Sequence, residues 1–137
     1  MKFGYAFVWV EDAEKAVQFY EEAFGFERRS LTDNGELGLY AELETGATTL
    51  AIADQKEARV LFPDGFQENN AAQAPSGCIP DLLCNTRRRG VVRSYLASRS
   101  NKTAEPQTQP WGQAIARVRD LSGVLVSIAG PFPSGER

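Results

Sequence analysis

The chain has 137 residues, a formal net charge of −3 and an apolar share of 42%, which is typical of one small soluble globular domain. It contains no histidine, and this excludes Ser-His-Asp and Cys-His nucleophiles as well as histidine-ligated zinc or iron. The acidic balance argues against nucleic acid or an anionic membrane as partner, and the lack of a long apolar stretch or a signal-peptide pattern predicts a cytoplasmic protein.

The first half of the chain predicts a β-α-β-β-β module. The run YAFVWV at 5–10 is typical of a strand, and Asp12 is a suitable N-cap for a helix that begins at Ala13. Apolar residues at spacings of three and four continue the helix to Phe24, and Gly25 predicts a left-handed stop. Three strands follow, FERRSLT, ELGLYAELE and TTLAIAD, separated by the turn signals DNG and TG.

The stretch 55–77 differs in composition from the first module. It is polar, with Pro-Asp-Gly and many small residues, which predicts a surface connection. We expect four apolar side chains to hold this connection against the rest of the protein, namely Val60, Leu61, Phe62 and Phe66.

The second half repeats the plan more loosely. CIPDLLC predicts a strand whose proline indicates an edge or a bulge, and a helix is predicted over 87–98 with Val91, Val92, Tyr95 and Leu96 inward. The strands KTAEPQ, QAIARVR and VLVSIAG follow, so the repeated topology indicates an internal duplication. The predicted organisation is a single domain over 1–137, with module one at 1–54, the connection at 55–77, module two at 78–130 and a tail at 131–137.

Three features of the second half have little predicted role in function. Cys78 and Cys84 would lie about 20 Å apart on a strand, too far for a disulfide or one shared metal, so we interpret them as reduced apolar groups. Strand alternation places Asp81, which lies between them, on the face that is expected to pack against the helix. Either its carboxylate is buried and paired with an arginine, or the proline shifts the register of the strand. The run Arg87-Arg88-Arg89 is interpreted as solvated charge, because no basic surface accompanies it.

The stretches VEDAEKAVQFYEEAFGFE, GATTLAIAD and PWGQAIARVRDLSGVLVSI together resemble the glyoxalase/bleomycin resistance protein/dioxygenase family, or vicinal oxygen chelate superfamily, over nearly the whole chain. The resemblance implies an α+β fold of two tandem βαβββ modules, with a curled mixed sheet around a cavity, usually within a homodimer. In metal-dependent members the ligands come from the first and last strands of each module. Those positions fall here at Tyr5, Ala51 or Ala53, Cys78 and Ser127.

Of these positions only Cys78 suits a metal, and one thiolate does not hold a catalytic metal. The chain therefore resembles the metal-free antibiotic-binding members of the family. This comparison implies no metal, no cofactor and no catalytic residue.

Strand alternation predicts that Tyr5, Phe7 and Trp9 lie on the side of the first strand opposite the helix, which lines the cavity in the resembled architecture. Three aromatic side chains in a row predict a stacking wall for a ligand. The alternative is that they fill the core and leave no cavity. In the third strand Tyr40 and Glu42 share a face, where Glu42 either anchors a cation or faces solvent.

Three further ligand-binding candidates lie in the second half. Ser127 on the last strand is placed to donate one hydrogen bond. Trp111, in the turn PWG, either contacts a ligand or a dimer partner or packs over the turn. Arg117 and Arg119 are both expected to point away from the helix side, and Arg117 is suited to a ligand carboxylate or phosphate.

The predicted function is the binding and sequestration of an apolar or aromatic small molecule, with an antibiotic of the bleomycin or mitomycin kind as one candidate. The predicted assembly is a homodimer, with no nucleic acid and no membrane as partner. Two alternatives stay open. One is an enzyme, either a divergent metal-dependent lyase, isomerase or dioxygenase or a metal-free isomerase that uses Tyr5, Cys78 or Glu42. The other is a degenerate member with a filled interior that acts as an interaction module.

Overall fold

The computed structural model describes residues 1, 4–75, 77, 81–83 and 102–131. The predicted helix over 87–98, both cysteines and the run of three arginines lie outside this part of the chain. In chain order the elements are β1 Tyr5–Val10, α1 Ala13–Phe24, β2 Glu27–Asp33, a 3₁₀ turn Gly35–Leu37, β3 Leu39–Glu44, β4 Thr49–Asp54, α2 Gln55–Leu61, β5 Asp81–Leu83, β6 Lys102–Thr108, β7 Ala114–Arg119 and β8 Leu125–Ala129.

The strands form two mixed sheets of four that repeat one topology. The first has the order β1-β4-β3-β2 and the second the order β5-β8-β7-β6. In each sheet the first and last strands of the module are parallel neighbours, while the remaining pairs are antiparallel. The predicted α+β fold is confirmed, with sheets that stay open rather than closing into a barrel. Neither helix in the described part of the chain is long and apolar enough to cross a membrane.

Helix α1 begins and ends where the sequence predicts. Asp12 has an extended backbone, and its side chain accepts a hydrogen bond from the backbone N–H of Lys15 at 3.0 Å. Gly25 has a φ of 67°, a left-handed conformation that glycine adopts without steric cost, and its N–H donates to the Glu21 carbonyl at 2.9 Å. The buried side of the helix consists of Ala13, Ala16, Val17, Phe19, Tyr20, Ala23 and Phe24.

One hydrophobic core joins α1 to both halves of the chain. Each aliphatic side chain removed from water contributes roughly 1.5–3 kcal/mol, so this shared core is the main force that holds the halves together. Its members outside α1 are Val10, Ala41, Leu43, Leu50 and Ile52 from the first sheet, and Val118, Val124, Val126 and Ile128 from the second half. Because these side chains occupy one face of each sheet, strand alternation leaves the opposite face for other residues.

The predicted surface connection differs from the structure in two respects. Its first seven residues form α2, whose buried side chains are Gln55 and Ala58. Val60 and Leu61 therefore fall on the outer side of this helix, where they are 65% and 57% exposed, and the prediction that they hold the connection in place is wrong. The phenylalanines of the same stretch do pack against the first sheet.

The structure gives the backbone pairing of Asp81 in β5. Asp81 is paired in register with Ser127 of β8, and its neighbour Leu82 is paired with Ile128. Leu82 packs against the shared core. The described strand covers Asp81–Leu83 within the predicted run 78–84, and the other residues of that run lie outside the described part of the chain.

The chain between β2 and β3 turns through the 3₁₀ segment and Gly38. Gly38 has a φ of 86°, and a Cβ added there would lie 2.6 Å from the Cβ of Asp54. We expect Gly38→Ala to lower the free energy of unfolding by about 2 kcal/mol, because it combines a disfavoured backbone conformation with a steric overlap. Urea denaturation measures this change. Gly35→Ala is the matched control, since Gly35 has a φ of 62° with no atom within 4 Å of the added Cβ, and an equal loss in both variants would contradict the steric argument.

Candidate functional site

The face of the first sheet that α1 leaves uncovered carries a row of aromatic side chains. Tyr5, Phe7 and Trp9 alternate with residues of β1 that pack in or against the core, as strand alternation predicts. The next strand, β4, places Ala51 beside Phe7 and Ala53 beside Trp9, and both alanines are buried. These small side chains form a floor between the aromatic residues of β1 and the larger side chains of β3.

Six aromatic residues form a continuous surface on this side of the sheet, which we call the aromatic face. The centroids of Phe7 and Trp9 are 4.6 Å apart, and those of Phe7 and Tyr40 are 5.8 Å apart. Tyr5 is 51% exposed, whereas Phe7, Trp9 and Tyr40 are half-buried, so the aromatic residues do not simply fill a closed core. The members of the aromatic face are Tyr5, Phe7, Trp9, Tyr40, Phe62 and Phe66.

Phe62 and Phe66 are members of this face that the sequence did not predict as site residues. They come from the end of α2 and the segment after it, and their ring centroids lie 5.5 Å and 6.3 Å from that of Trp9. The chain returns here because Asn69 donates a hydrogen bond from Nδ2 to the Trp9 carbonyl at 2.8 Å. The only sequence signal was a pair of phenylalanines four residues apart in a polar stretch.

Carboxylates stand beside the aromatic rings. The Tyr40 hydroxyl donates to Glu42 Oε1 at 2.8 Å, and the Trp9 indole N–H donates to Glu57 Oε2 at 3.2 Å. Burial, the hydrogen bond to Glu42 and the nearby negative charges raise the pKa of Tyr40 to about 12. The Tyr40 phenol is therefore neutral at physiological pH and acts as a hydrogen-bond donor. Glu57 is a further residue that the sequence analysis did not single out.

The second sheet places Arg117 and Ser127 next to each other. They are register partners on β7 and β8, and Ser127 pairs on its other side with Asp81. Ser127 is buried and Arg117 is half-buried; the Arg117 guanidinium has no hydrogen bond or ion pair within the described ranges. Arg119 has the same strand parity but a structural role, because it donates to the carbonyls of Asn70, Ala71 and Gly123.

Trp111 lies apart from these groups in the turn between β6 and β7. Its side chain is 55% exposed, and its indole N–H donates to Gln113 Oε1 at 3.2 Å. Gln113 in turn donates from Nε2 to the Gly130 carbonyl at 2.7 Å. Among the residues that the structure describes, no ring contact joins Trp111 to the aromatic face.

The strand positions that hold metals in the resembled family do not fit a metal here. Ala51 and Ala53 offer only methyl groups, and Tyr5 and Ser127 offer neutral hydroxyls rather than the carboxylates and imidazoles that divalent metals prefer. Within the described ranges, no three Cys, Asp or Glu side chains lie close enough together to hold a metal ion. Cys78 lies outside those ranges. The donor set of the described positions therefore does not fit a divalent metal.

Comparison with known proteins gives a family match for the first half and a fold match for nearly the whole chain. Residues 2–68 match the model of the Glyoxalase/Bleomycin resistance protein/Dioxygenase superfamily. A search of curated proteins gives no match to this chain.

Three solved structures illustrate the similarity in fold. A glyoxalase/bleomycin resistance protein/dioxygenase family enzyme from Burkholderia phytofirmans PsJN is 16% identical with a TM-score of 0.71, over 93% of this chain and 96% of that chain. A glyoxylase/bleomycin resistance protein/dioxygenase domain from Frankia sp. EAN1pec is 12% identical with a TM-score of 0.73, over 99% and 95%. Lactoylglutathione lyase from Agrobacterium tumefaciens is 15% identical with a TM-score of 0.67, over 94% and 92%. At these identities the likeness shows the fold alone.

Proposed function

We propose that this chain, whose residues 2–68 match the model of the Glyoxalase/Bleomycin resistance protein/Dioxygenase superfamily, binds and sequesters an aromatic or apolar small molecule without metal chemistry. The observation that carries the proposal is the aromatic face. It occupies the uncovered side of the first sheet, with alanines at positions where metal-dependent relatives of the resembled type would supply ligands. Sequestration of an antibiotic is the narrower form of this proposal.

The physical basis of binding is stacking on half-buried rings. Aromatic pairs contribute about 0.5–1.5 kcal/mol beyond the area that they bury, and several adjacent rings add the larger hydrophobic contribution. Tyr40 and Glu42 supply a polar edge to this surface. One carboxylate oxygen of Glu42 accepts the Tyr40 hydroxyl, and the other lies 3.9 Å from Nη1 of Arg29. We assign Ser127 and Arg117 to orientation of a polar part of the ligand, because they are register partners and the Arg117 guanidinium is unbound in the described region. Trp111 has no role in this proposal.

We further propose that the binding unit is a homodimer. Val60, Leu61 and Phe62 form an exposed apolar run at the end of α2, and such surfaces commonly mark contacts with another chain. Light scattering on the purified protein is expected to give twice the mass of one chain. A monomer at micromolar concentration would contradict this assembly.

Replacing Trp9 with alanine is expected to weaken binding by about 2 kcal/mol, because Trp9 contacts Phe7, Phe62 and Phe66 at the centre of the aromatic face. We suggest three planar three-ring probes, namely proflavine, acridone and anthracene-9-carboxylate. Dissociation constants come from fluorescence titration, with melting temperature as a second readout, since a ligand that binds only the folded state must stabilise it. Leu121→Ala, at an exposed apolar residue of the β7–β8 turn, is the control.

The two tryptophans of the chain allow the site to be located directly. In Trp111→Phe, Trp9 is the sole tryptophan, so quenching by a probe reports on the aromatic face. In Trp9→Phe, quenching of Trp111 reports on the β6–β7 turn instead. The proposed function fails if none of the three probes quenches Trp9 fluorescence and none raises the melting temperature.

A further inference from the structure

Glu57 brings a negative charge to the aromatic face that no cation of the described residues neutralises. Its Oε2 accepts the Trp9 indole N–H at 3.2 Å, and its side chain is half-buried. Its basic neighbours on α2 do not compensate it. Arg59 pairs with Glu68 at 2.6 Å, and Lys56 has no ion pair within the described part of the chain.

The other carboxylate of this face differs from Glu57 in its surroundings. Glu42 lies 3.9 Å from Arg29 Nη1, and the same arginine also pairs with Glu44. One guanidinium therefore serves two carboxylates at the β2–β3 side of the sheet. At the α2 side, beside Trp9, no guanidinium or ammonium group of the described residues is paired with Glu57.

The pKa of Tyr40 is raised mainly by burial and to a smaller extent by the negative charge beside it. Its pKa is raised to about 12, first by burial, then by the hydrogen bond and charge of Glu42, with smaller effects of Tyr5 and Glu57. The carboxylates of Glu42 and Glu57 disfavour the ionised form of Tyr40, and they would repel a negatively charged ligand in the same way. A positive group would be attracted by both carboxylates.

We infer that the molecule bound on the aromatic face carries a positively charged nitrogen, held over the Trp9 ring within reach of the Glu57 carboxylate. This inference rests on the proposed function, because it specifies the class of ligand for the same surface. Tryptophan attracts a cation through the negative face of its ring more strongly than tyrosine or phenylalanine. A carboxylate beside that ring adds a charge-assisted hydrogen bond, and together the two groups select a cationic aromatic amine over a neutral or anionic ring of equal size.

The test compares the three probes, which have similar planar shapes and different charges at neutral pH. Proflavine is a cation, acridone is neutral and anthracene-9-carboxylate is an anion. We expect the wild-type protein to bind proflavine at least tenfold more tightly than the other two. In Glu57→Gln the amide oxygen still accepts the Trp9 N–H, so we expect only the affinity for proflavine to fall, by about tenfold.

The control removes an equal charge from the other side of the sheet. Glu14 is exposed in the first turn of α1, the helix that covers the opposite face, and Glu14→Gln is expected to leave the preference for proflavine unchanged. The inference is overturned if acridone binds wild type as tightly as proflavine, or if the preference survives in Glu57→Gln. Failure of all three probes would instead refute the proposed function, so the two failures are distinguishable.

Discussion

Replacing Asp120 with alanine is expected to lower the free energy of unfolding by about 3 kcal/mol. The Asp120 side chain is fully buried at the β7–β8 turn. Its Oδ1 accepts the backbone N–H groups of Ser122 and Val124, both at 2.9 Å, and its Oδ2 accepts the Tyr20 hydroxyl at 3.1 Å. Alanine would leave three buried donors without an acceptor, and each unsatisfied donor costs roughly 1–3 kcal/mol.

The bond to Tyr20 gives this carboxylate a role in joining the two halves of the chain. Tyr20 lies in α1 and is buried in the shared core, one hundred positions from its partner along the sequence. Tyr20→Phe is therefore expected to cost less than Asp120→Ala, because it removes one donor and leaves the turn intact. Urea denaturation of both variants measures the difference. Equal losses would show that the turn itself contributes little.

Asp120→Asn separates the hydrogen bonds from the charge. Its amide oxygen keeps the acceptor for Ser122 and Val124, so the loss is expected to be smaller than in the alanine variant. Burial raises the pKa of Asp120 above its ordinary 3.8, against the opposing effect of its hydrogen-bond donors. The unfolded chain then binds fewer protons at this residue than the folded one, so its contribution to stability falls as the pH rises from about 3.8 through the folded pKa.

The asparagine variant lacks this titration. The stability of wild type relative to Asp120→Asn is therefore expected to decrease with rising pH across that window. Denaturation of both proteins at a series of pH values from 3 to 8 tests the sign. A difference that increases with pH would show that the hydrogen bonds outweigh the burial of the charge.

The features that the sequence predicts well are those fixed by local chemistry. Helix α1 needs only the cap at Asp12, the left-handed glycine at Gly25 and one apolar stripe, all within fourteen residues. The orientation of Phe7 and Trp9 follows in turn from this helix. Once α1 covers one side of β1, alternation leaves every second side chain on the other side, so the aromatic row could be predicted without knowing the rest of the fold.

The features that the sequence does not predict depend on pairing between distant segments. Phe66 and Glu57 reach Trp9 only because α2 folds back along β1, and the polar composition of that stretch indicated an ordinary surface loop. The register of Asp81 was likewise set by its pairing with β8 rather than by its own neighbours. Arg119 lies on the same side of β7 as the ligand-binding candidate Arg117. Its guanidinium, however, donates hydrogen bonds to backbone carbonyls of the loop that precedes the second module.

Asp54 is the second carboxylate on which the fold depends, and Asp54→Ala is expected to lower the free energy of unfolding by about 3 kcal/mol. It is the last residue of β4 and is almost fully buried. Its Oδ1 accepts the backbone N–H of Ala13 at 2.9 Å, and its Oδ2 accepts that of Leu39 at 2.6 Å. One side chain thus satisfies the first residue of α1 and the first residue of β3, and alanine would leave the buried Ala13 N–H and the partly buried Leu39 N–H unpaired.

Asp54→Asn offers the graded comparison for this prediction. Its amide has a single acceptor oxygen, so it satisfies either Ala13 or Leu39 but turns an N–H₂ toward the other backbone donor. We expect a loss between those of wild type and Asp54→Ala, measured by urea denaturation. Hydrogen exchange at the Ala13 and Leu39 amides identifies which bond survives. If both amides stay as protected in Asp54→Ala as in wild type, water or a neighbouring group replaces the carboxylate, and the helix and the strand do not depend on it.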